Sequence, residues 1–390
     1  MVLPELKMRR DKIRMFMAQQ HIDAALITGN TNLLYTCGQI INGYLYMPLQ
    51  EPARIFVKRP NTITGELVHS IRKPEQIPDM LKEDGLPLPQ TLMLEGDELP
   101  YTEYNRLAAI FPDATIVNGT PFIRKARSTK TDMEIEYFRR GGIAHAKAYE
   151  KIPSVYREGM TDNEFSIEVE RLMRLEGCLG IFRTFGQNME IFMGSVLTGD
   201  NAATPSPYDF ALGGAGIDSS LPVGANGTLL KEGQSVMVDI GGNFNGYLCD
   251  MSRVYSIGKL DDRAYAAHQV CLDVQEKVIS MSKPGVACET LYNAAIELIT
   301  TAGFADYFMG INQQAKFIGH GIGLEINELP ILAPHVTQEL EQGMVFALEP
   351  KIVLPGIGPV GVENSWVVTS TGVEKLTNFK EEIIALGEGC

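Results

Sequence analysis

The chain has 390 residues, of which 45% are hydrophobic and 21% are charged, a balance typical of a folded globular protein. Its formal net charge of −14 argues against nucleic acids and anionic membranes as partners. No apolar run approaches the roughly 20 residues of a membrane helix, and the N-terminal stretch lacks the apolar core of a signal peptide. The six cysteines are scattered without a paired motif, which favours a reducing compartment. We therefore expect a cytoplasmic protein.

The sequence divides into two blocks. In residues 1–127, short apolar runs such as ARIFVKR alternate with helical stretches such as EYNRLAAIF, and this pattern predicts an α/β domain. Residues 128–390 begin with Thr131 and Glu134, which have the spacing of a capping box ahead of an amphipathic helix. We predict two domains with these boundaries.

The second block contains an internal repeat. The segments REGMTDNEFSIEVERLMRLEGC and KPGVACETLYNAAIELITTAGF each contain a turn, a long amphipathic helix and a glycine that ends it. Thr161 and Glu164 form a second capping-box pair in the first copy. Each copy is followed along the chain by a pair of carboxylates. The repeat predicts two pseudo-equivalent halves that supply ligands to one central site.

The two carboxylate pairs are the most informative feature of the second block. Asp239 and Asp250 lie symmetrically about the turn-forming sequence NFNG, and Glu349 and Glu363 lie symmetrically about PGIG. Residues directly across a hairpin share one face, with Cβ atoms about 4.5–5.5 Å apart. Two such like-charged pairs would repel unless cations lay between them. The pattern therefore predicts a site for two divalent ions.

A fifth ligand is predicted at His320, in the sequence GHGIG, where flanking glycines allow the backbone to approach a ligand closely. Four carboxylates and one imidazole suit manganese best, with cobalt, zinc or iron as alternatives. Two ions about 3.5–4 Å apart can hold a shared hydroxide and polarise a carbonyl. Cys249, next to Asp250, should point to the opposite sheet face as a buried, inert thiol.

These five positions occur in order in the contexts VDIG, GYLCD, GHGIGLE, GMVFALEP and GVEN. In them the second block resembles the creatinase/prolidase/methionine aminopeptidase family, the "pita-bread" metallohydrolases. The first block resembles the N-terminal domain of prolidases, aminopeptidase P and creatinase, best in NTNLLYTCG. The resemblance implies a creatinase-like α/β domain followed by a pseudo-two-fold α+β domain, whose curved antiparallel sheet is flanked by helices. It also implies a homodimer.

The resemblance further implies a role for each ligand. Asp239 would bind one ion, His320 and Glu349 would bind the other, and Asp250 and Glu363 would bridge the two. Glu349 would also be the catalytic proton shuttle. The implied enzyme is an Xaa-Pro dipeptidase or aminopeptidase P that acts through a metal-bridging hydroxide.

Three positions depart from the family pattern. Val223 stands where the family has a substrate-handling histidine in a context like LPHG, and Asn327 stands where a second histidine follows GHGIGLE. Gly361 stands where prolidase-like members tend to have an arginine two residues before the last glutamate. The losses of two imidazoles make the substrate less certain than the metal site, because one missing oxyanion donor typically costs about 10²–10³ in rate.

Three residues are candidate replacements at the substrate site. Asn327 can donate from its amide. Tyr208 lies in the Gly-, Pro- and Ser-rich segment 199–227, which we expect to be a loop at the mouth of the site. His335 follows ELPILAP. For Tyr208 and His335 the alternative is an ordinary loop residue.

Three functions are compatible with this sequence. The first is a dinuclear metal-dependent hydrolase that cleaves short Xaa-Pro peptides. The second is a metal-dependent hydrolase or lyase that acts on a small non-peptide substrate. The third is a non-catalytic binding module, which would predict decay of the metal ligands, and all five ligands are present.

Overall fold

The computed structural model describes residues 3–186 and 188–387, and the chain forms two compact units, Met1–Arg127 and Ser128–Cys390. The helices of the first unit are α1 Leu3–Gln19, α2 Asn30–Cys37, α3 Ile77–Glu83, α4 Tyr101–Ile110 and α5 Thr120–Ser128, the last of which ends one residue beyond the boundary. The strands are β1 Ala24–Ile27, β2 Asn42–Pro48, β3 Arg54–Arg59, β4 Val68–Ser70, β5 Thr91–Leu94 and β6 Thr115–Asn118.

The first unit is built on a mixed sheet in the order β4-β3-β2-β1-β5-β6. Parallel pairing joins β1 to β5 and β5 to β6, whereas β1, β2 and β3 pair antiparallel. The α/β architecture predicted for this block is confirmed. The buried carboxylate of Glu95 accepts hydrogen bonds from the N–H groups of Thr28 and Gly29 at the start of α2, at 2.6 and 2.9 Å. A carboxylate at a helix N-terminus satisfies donors that have no partner within the helix.

The second unit contains the helices α6 Asp132–Glu150, α7 Asp162–Leu175, α8 Asp262–Met281 and α9 Cys288–Thr301. Its strands are β7 Gly194–Thr198, β8 Ser235–Ile240, β9 Gly242–Asn243, β10 Leu248–Cys249, β11 Ser252–Ile257, β12 Gly319–Gly321, β13 Glu328–Leu332, β14 Val345–Leu348, β15 Lys351–Leu354, β16 Gly358–Gly361, β17 Asn364–Val368, β18 Val373–Lys375 and β19 Ile384–Leu386. Among the described residues, none of the helices combines the length and hydropathy needed to cross a bilayer.

The second unit repeats one arrangement twice, in agreement with the repeat predicted from the sequence. The antiparallel strands β7, β8 and β11 form one half, and the antiparallel strands β12, β14 and β17 form the other. Helices α7 and α9 each span 14 residues. Each is followed by a glycine with positive φ, Gly177 at 95° and Gly303 at 78°, a conformation that glycine adopts without strain.

Both predicted capping boxes are present. Thr131 accepts a hydrogen bond from the backbone N–H of Glu134, whose carboxylate accepts one from the N–H of Thr131. Thr161 and Glu164 do the same at the start of α7. These local bonds position the first turn of each helix against the sheets.

Alternation along β8 separates the core from the candidate site. Val236, Val238 and Ile240 pack in the hydrophobic cluster that includes residues of α7. Met237 lies in the other cluster, and Asp239 shares its face of the strand because side chains alternate along a strand. The strand thus holds Asp239 on the face opposite α7.

The first predicted hairpin has a different register from the one expected. Asp239 pairs with Ser252, and Asn243 pairs with Leu248 around a four-residue turn that includes Gly246 at φ 100°. The prediction that Asp239 lies directly across from Asp250 is therefore wrong by two residues, because the turn is centred one residue later than the NFNG pattern suggested. The two carboxylates are diagonal neighbours on one face, a spacing of about 7–8 Å between backbones.

The second predicted hairpin has the expected register. Lys351 pairs with Gly361 and Leu354 pairs with Gly358. The N–H of Val362 donates to the carbonyl of Pro350 at 3.2 Å, which extends the ladder by one residue. One further step in the same register places Glu349 opposite Glu363, as the symmetry about Gly356 predicted.

Candidate metal centre

All five predicted ligands converge in the second unit. Ligand atoms of Asp250, His320 and Glu363 lie within 4.8 Å of one another, and this group is called the histidine subsite below. Ligand atoms of Asp239, Glu349 and Glu363 also lie within 4.8 Å of one another and form the lysine subsite. Glu363 belongs to both groups, so the two subsites are adjacent. Each is an oxygen-rich cluster of the kind that holds divalent ions.

The glycines on either side of His320 let the neighbouring strands approach closely. A Cβ atom on Gly319 would lie 2.3 Å from the carbonyl oxygen of Ala347, and one on Gly321 would lie 2.2 Å from the carbonyl of Leu329. Glycine therefore allows β14 and β13 to pack closely on either side of β12. The Nδ1 atom of His320 lies 3.2 Å from the carbonyl of Gly321, which leaves Nε2 facing the acids.

Two serines join the acids of one half to the other half. Ser252 donates to Glu363 Oε2 at 2.5 Å, and Ser365 both donates to the carbonyl and accepts from the N–H of Asp250, each at 2.9 Å. Each serine lies two residues after the acid of its own half and contacts the acid of the other. Hydrogen bonds of this kind orient metal ligands.

The buried guanidinium of Arg253 supports Glu363 from behind. It donates to the carbonyl of Glu363 at 2.8 Å and to the side chain of Asn364 at 2.9 Å. Cys249 lies on the opposite face from the acids, where its buried thiol contacts the carbonyl of Phe138. Burial raises the pKa of the Cys249 thiol, and the charge of Asp250 raises it further, which fits the inert role expected from its position.

Lys351 also belongs to this site, although it was not among the residues predicted from the sequence. Its side chain is fully buried, and its ammonium lies 2.8 Å from Asp239 Oδ2, 2.6 Å from Glu349 Oε2 and 3.1 Å from Glu363 Oε2. A signal was available, since Lys351 lies two residues after Glu349 in the apolar strand KIVL, and alternate residues share a face. A lysine in such a strand is almost never buried without an acidic partner.

Burial and the facing charges strongly perturb these groups in the metal-free protein. Burial and the charge of Asp239 raise the pKa of Asp250 to about 7. Burial alone would raise the pKa of Glu349, but the charges of Lys351 and His320 lower it to about 2. Burial alone would lower the pKa of His320, but Glu349 and Asp250 raise it to about 9. Clusters of opposed shifts of this size are typical of functional sites.

The histidine subsite fits a divalent ion. Within the part of the chain that the structure describes, the buried Oε1 atom of Glu363 has no hydrogen-bond partner, and unpaired buried carboxylate oxygens are costly. His320 Nε2 lies 3.9 Å from Asp250 Oδ2 and 3.4 Å from Glu349 Oε1, so carboxylate oxygens and one imidazole nitrogen face a common space. A cation bound to the carboxylate of Glu363 would offset the cost of its unpaired oxygen.

The lysine subsite does not fit a second ion in this arrangement. One oxygen each of Asp239, Glu349 and Glu363 faces the ammonium of Lys351, which holds the position that a cation bound to those three oxygens would take. The ligand residues predicted from the sequence are thus together, but the prediction of two ions disagrees with the position of Lys351.

Asn327 is already engaged with the backbone. Its side-chain oxygen accepts from the N–H of Phe185 at 2.7 Å, and its side-chain nitrogen donates to the carbonyl of Phe185 at 2.9 Å. The N–H of Ile326 donates to the carbonyl of Arg183 at 2.8 Å. Asn327 therefore positions the segment 183–185, and the expectation that its amide donates to substrate stays a prediction.

Tyr208 and His335, the other two candidate substrate residues, both lie in loops. Tyr208 is half-buried against Phe210, at a ring distance of 5.8 Å, in the wall of a small cavity that also includes Gln313. His335 is exposed in the turn after β13. A substrate role for either residue remains a prediction.

Val223 lies in the segment 199–227, which is mostly irregular, as predicted, but includes a short 3-10 helix at Gly199–Ala203. A Cβ atom on the next residue, Gly224, would lie 3.3 Å from the side chain of Ser195. Ser195 pairs with Asp239 in the sheet. The segment around Val223 therefore passes beside the strand that adjoins Asp239, which is consistent with the predicted position of this segment near the site.

Comparison with known proteins gives two family matches. Residues 136–370 match the model of metallopeptidase family M24, and residues 9–129 match that of the creatinase/prolidase N-terminal domain. The chain is 26% identical over 386 residues to an Xaa-Pro dipeptidase of Pyrococcus furiosus, across 97% of this chain and 100% of that protein.

Solved structures show the same fold. The Xaa-Pro dipeptidase from Bacillus anthracis has a TM-score of 0.81 and 26% identity, across 98% of this chain and 100% of that chain. The X-Pro aminopeptidase from Thermotoga maritima has a TM-score of 0.79 and 23% identity, across 94% of this chain and 98% of that chain. The fold expected from the resemblance, an N-terminal creatinase-like domain followed by a pita-bread domain, is confirmed.

Proposed function

The chain belongs to metallopeptidase family M24, and we propose that it is a metal-dependent hydrolase that cleaves short Xaa-Pro peptides. The observation that supports this most directly is the histidine subsite, where ligand atoms of Asp250, His320 and Glu363 lie within 4.8 Å of one another. The preference for a prolyl bond rests on the similarity to proteins named Xaa-Pro dipeptidase.

The histidine subsite would hold the ion, with manganese as the first choice because its ligands are chiefly carboxylate oxygens. A divalent ion there would polarise a substrate carbonyl and acidify the water molecule that attacks it. Asp250 and Glu363 would contribute negative charge, and His320 would contribute Nε2. The serine bonds to Asp250 and Glu363 would keep these ligands in place when substrate binds.

We assign the proton transfer to Glu349. Its Oε1 atom lies 3.4 Å from His320 Nε2, on the side of the histidine subsite, while its Oε2 atom contacts Lys351. From this position Glu349 would accept a proton from the attacking water and deliver it to the leaving amine. Lys351 opposes this step, because its ammonium lowers the pKa of the acceptor.

The test is hydrolysis of a panel of Xaa-Pro dipeptides by metal-stripped protein reloaded with Mn(II), with Ala-Ala as a non-prolyl comparison. We expect prolyl dipeptides to be cleaved and the rate to fall at least 100-fold in His320→Ala. The matched control is His21→Ala, which removes an exposed histidine of the first unit, outside the ligand set, and should keep the full rate.

Two outcomes would overturn the proposal. Turnover of no dipeptide above the level of His320→Ala would exclude peptidase activity. Equal turnover of Ala-Ala and the prolyl dipeptides would leave a peptidase but reject the prolyl preference.

A further inference from the structure

We propose that the ammonium of Lys351 replaces one of the two metal ions, so that each chain binds a single divalent ion at Asp250, His320 and Glu363. The inference rests on the metal site of the proposed function, but it does not depend on the substrate. It replaces the dinuclear centre expected from the sequence with a centre of one metal ion and one ammonium.

The ammonium of Lys351 occupies the lysine subsite. Lys351 Nζ lies 2.6–3.1 Å from one oxygen each of Asp239, Glu349 and Glu363, and these three residues are the members of the lysine subsite. An ion bound to the same oxygens at about 2.0–2.2 Å, as manganese- or zinc-sized ions are, would overlap the nitrogen. The ammonium and a second ion therefore exclude each other.

The two subsites also differ in how their acids are partnered. In the lysine subsite each acid has an oxygen that accepts from Lys351. Glu363 belongs to both subsites; its Oε2 atom accepts from Lys351 and Ser252, whereas its buried Oε1 atom has no hydrogen-bond partner among the described residues. The cationic group of the histidine subsite is the imidazole of His320, which can release its proton and bind an ion through Nε2. The lysine subsite is thus filled by an ammonium, while the histidine subsite can accept a metal ion.

Charge permits the state with one ion. The four carboxylates carry four negative charges, and the ammonium with one divalent ion balances three of them, so the buried acids keep cationic partners. One ion with the ammonium leaves a net charge of −1, and two ions with the ammonium leave +1. The choice between one ion and two therefore rests on the position of the ammonium.

The backbone and the side chain of Lys351 are both held in place. The carbonyl of Lys351 accepts from the N–H of Met309 at 2.8 Å, and its strand pairs with β16. Its side chain is fully buried beside Gly361, where a Cβ atom would lie 3.3 Å from Lys351 Cγ. The stem is thus enclosed, and the ammonium is an integral part of the acidic cluster.

The decisive experiment counts ions. Full-length protein is stripped with a chelator, dialysed against Mn(II) from 1 µM to 1 mM (roughly the range of functional divalent-ion affinities) and analysed by mass spectrometry for metal per chain. We expect one equivalent for the wild type and two for Lys351→Ala, which removes the ammonium from the lysine subsite. His320→Ala should bind none.

A matched control is available at Lys130, a second buried lysine, whose ammonium lies 3.0 Å from Glu328 Oε2. Lys130→Ala removes a buried cation outside the five ligands and should still bind one equivalent. Electron paramagnetic resonance gives an independent reading, since an isolated Mn(II) ion and an exchange-coupled pair have different spectra. We expect the isolated spectrum for the wild type and the coupled spectrum for Lys351→Ala.

Two equivalents of Mn(II) with a coupled spectrum in the wild type would overturn the inference, and so would no binding at all. A folded Lys351→Ala that still binds one ion would show that the ammonium does not exclude the second. The wild-type count decides the matter even if the variants fail to fold. Because ions are counted without substrate, a protein that binds one ion but cleaves no dipeptide would refute the proposed function and leave this inference standing.

Discussion

Lys351 and Gly361 are cross-strand partners in the β15–β16 hairpin, and the lysine occupies space that a side chain on Gly361 would enter. A Cβ atom at position 361 would lie 2.8 Å from Lys351 Cα and 2.4 Å from the carbonyl oxygen of Pro350. The φ angle of Gly361 is 146°, which other residues rarely adopt. The arginine expected here from the resemblance has no room, and a cationic side chain reaches the acids from the opposite strand.

Gly361→Ala should therefore destabilise the metal-free protein strongly. Backbone strain costs about 1–3 kcal/mol, and displacement of Lys351 adds an overpacking cost of about 1–3 kcal/mol. The measurement is the free energy of unfolding in urea. The control is Gly356→Ala, where φ is 76° and nothing lies within 4 Å of the added Cβ atom. Equal losses in the two variants would show that contact with Lys351 is unimportant.

Ser252→Ala should weaken metal binding without unfolding the protein. The change removes the hydrogen bond to Glu363 Oε2 and frees the carboxylate to rotate. Loss of a ligand-orienting hydrogen bond typically costs about 10–100-fold in metal affinity. Calorimetric titration with Mn(II) measures the change. Ser280→Ala, which removes an exposed hydroxyl bonded to the carbonyl of Lys277 in α8, should leave the affinity unchanged.

Metal-free protein should lose stability between pH 6.5 and 9, whereas Mn(II)-bound protein should not. The pKa of His320 is raised from 6.5 to about 9 by Glu349 and Asp250 against the effect of burial, so its protonated form stabilises the metal-free fold. That stability is fully present below pH 6.5 and is lost as pH rises to 9. Metal binding requires neutral His320 and ionised Asp250, whose pKa is about 7, so Mn(II) affinity should rise over the same range.

The measurement is the melting temperature with and without Mn(II) at several pH values from 6.5 to 9. We expect the difference between the two curves to widen as pH rises. His320→Gln should abolish most of the fall in the metal-free curve. A difference that stays constant with pH in the wild type would contradict the assigned role of His320.

Asn327→Ala should loosen the segment that its side chain holds. The two hydrogen bonds to Phe185 contribute roughly 1–3 kcal/mol together, and their loss should increase local opening about tenfold. Trypsin cleavage after the half-buried Arg183 reports this opening directly. The control is His335→Ala, which changes an exposed loop residue on the other side of β13. Unchanged cleavage in Asn327→Ala would show that the segment is held by other contacts.

The local features of the fold were predictable from the sequence. The capping boxes at Thr131 and Thr161 and the repeated 14-residue helices follow from hydrogen bonds and periodicities that act over a few residues. The hairpin around Gly356 was also predictable, because a short glycine turn sets its register. The hairpin around Gly246 was misplaced, since the NFNG pattern allows more than one turn length.

By itself, the sequence determined which residues could bind a metal and that two hairpins would carry the acids. Only the tertiary structure decided how those acids are partnered. Lys351 is two residues from Glu349 but 112 residues from Asp239, and its ammonium meets both only when the two halves of the second unit pack together. A buried lysine can balance charge only where the folded chain supplies acids, and no short-range pattern encodes that distance. The same packing brings the side chain of Asn327 into hydrogen-bond contact with the backbone of Phe185, which lies 142 residues away in the sequence.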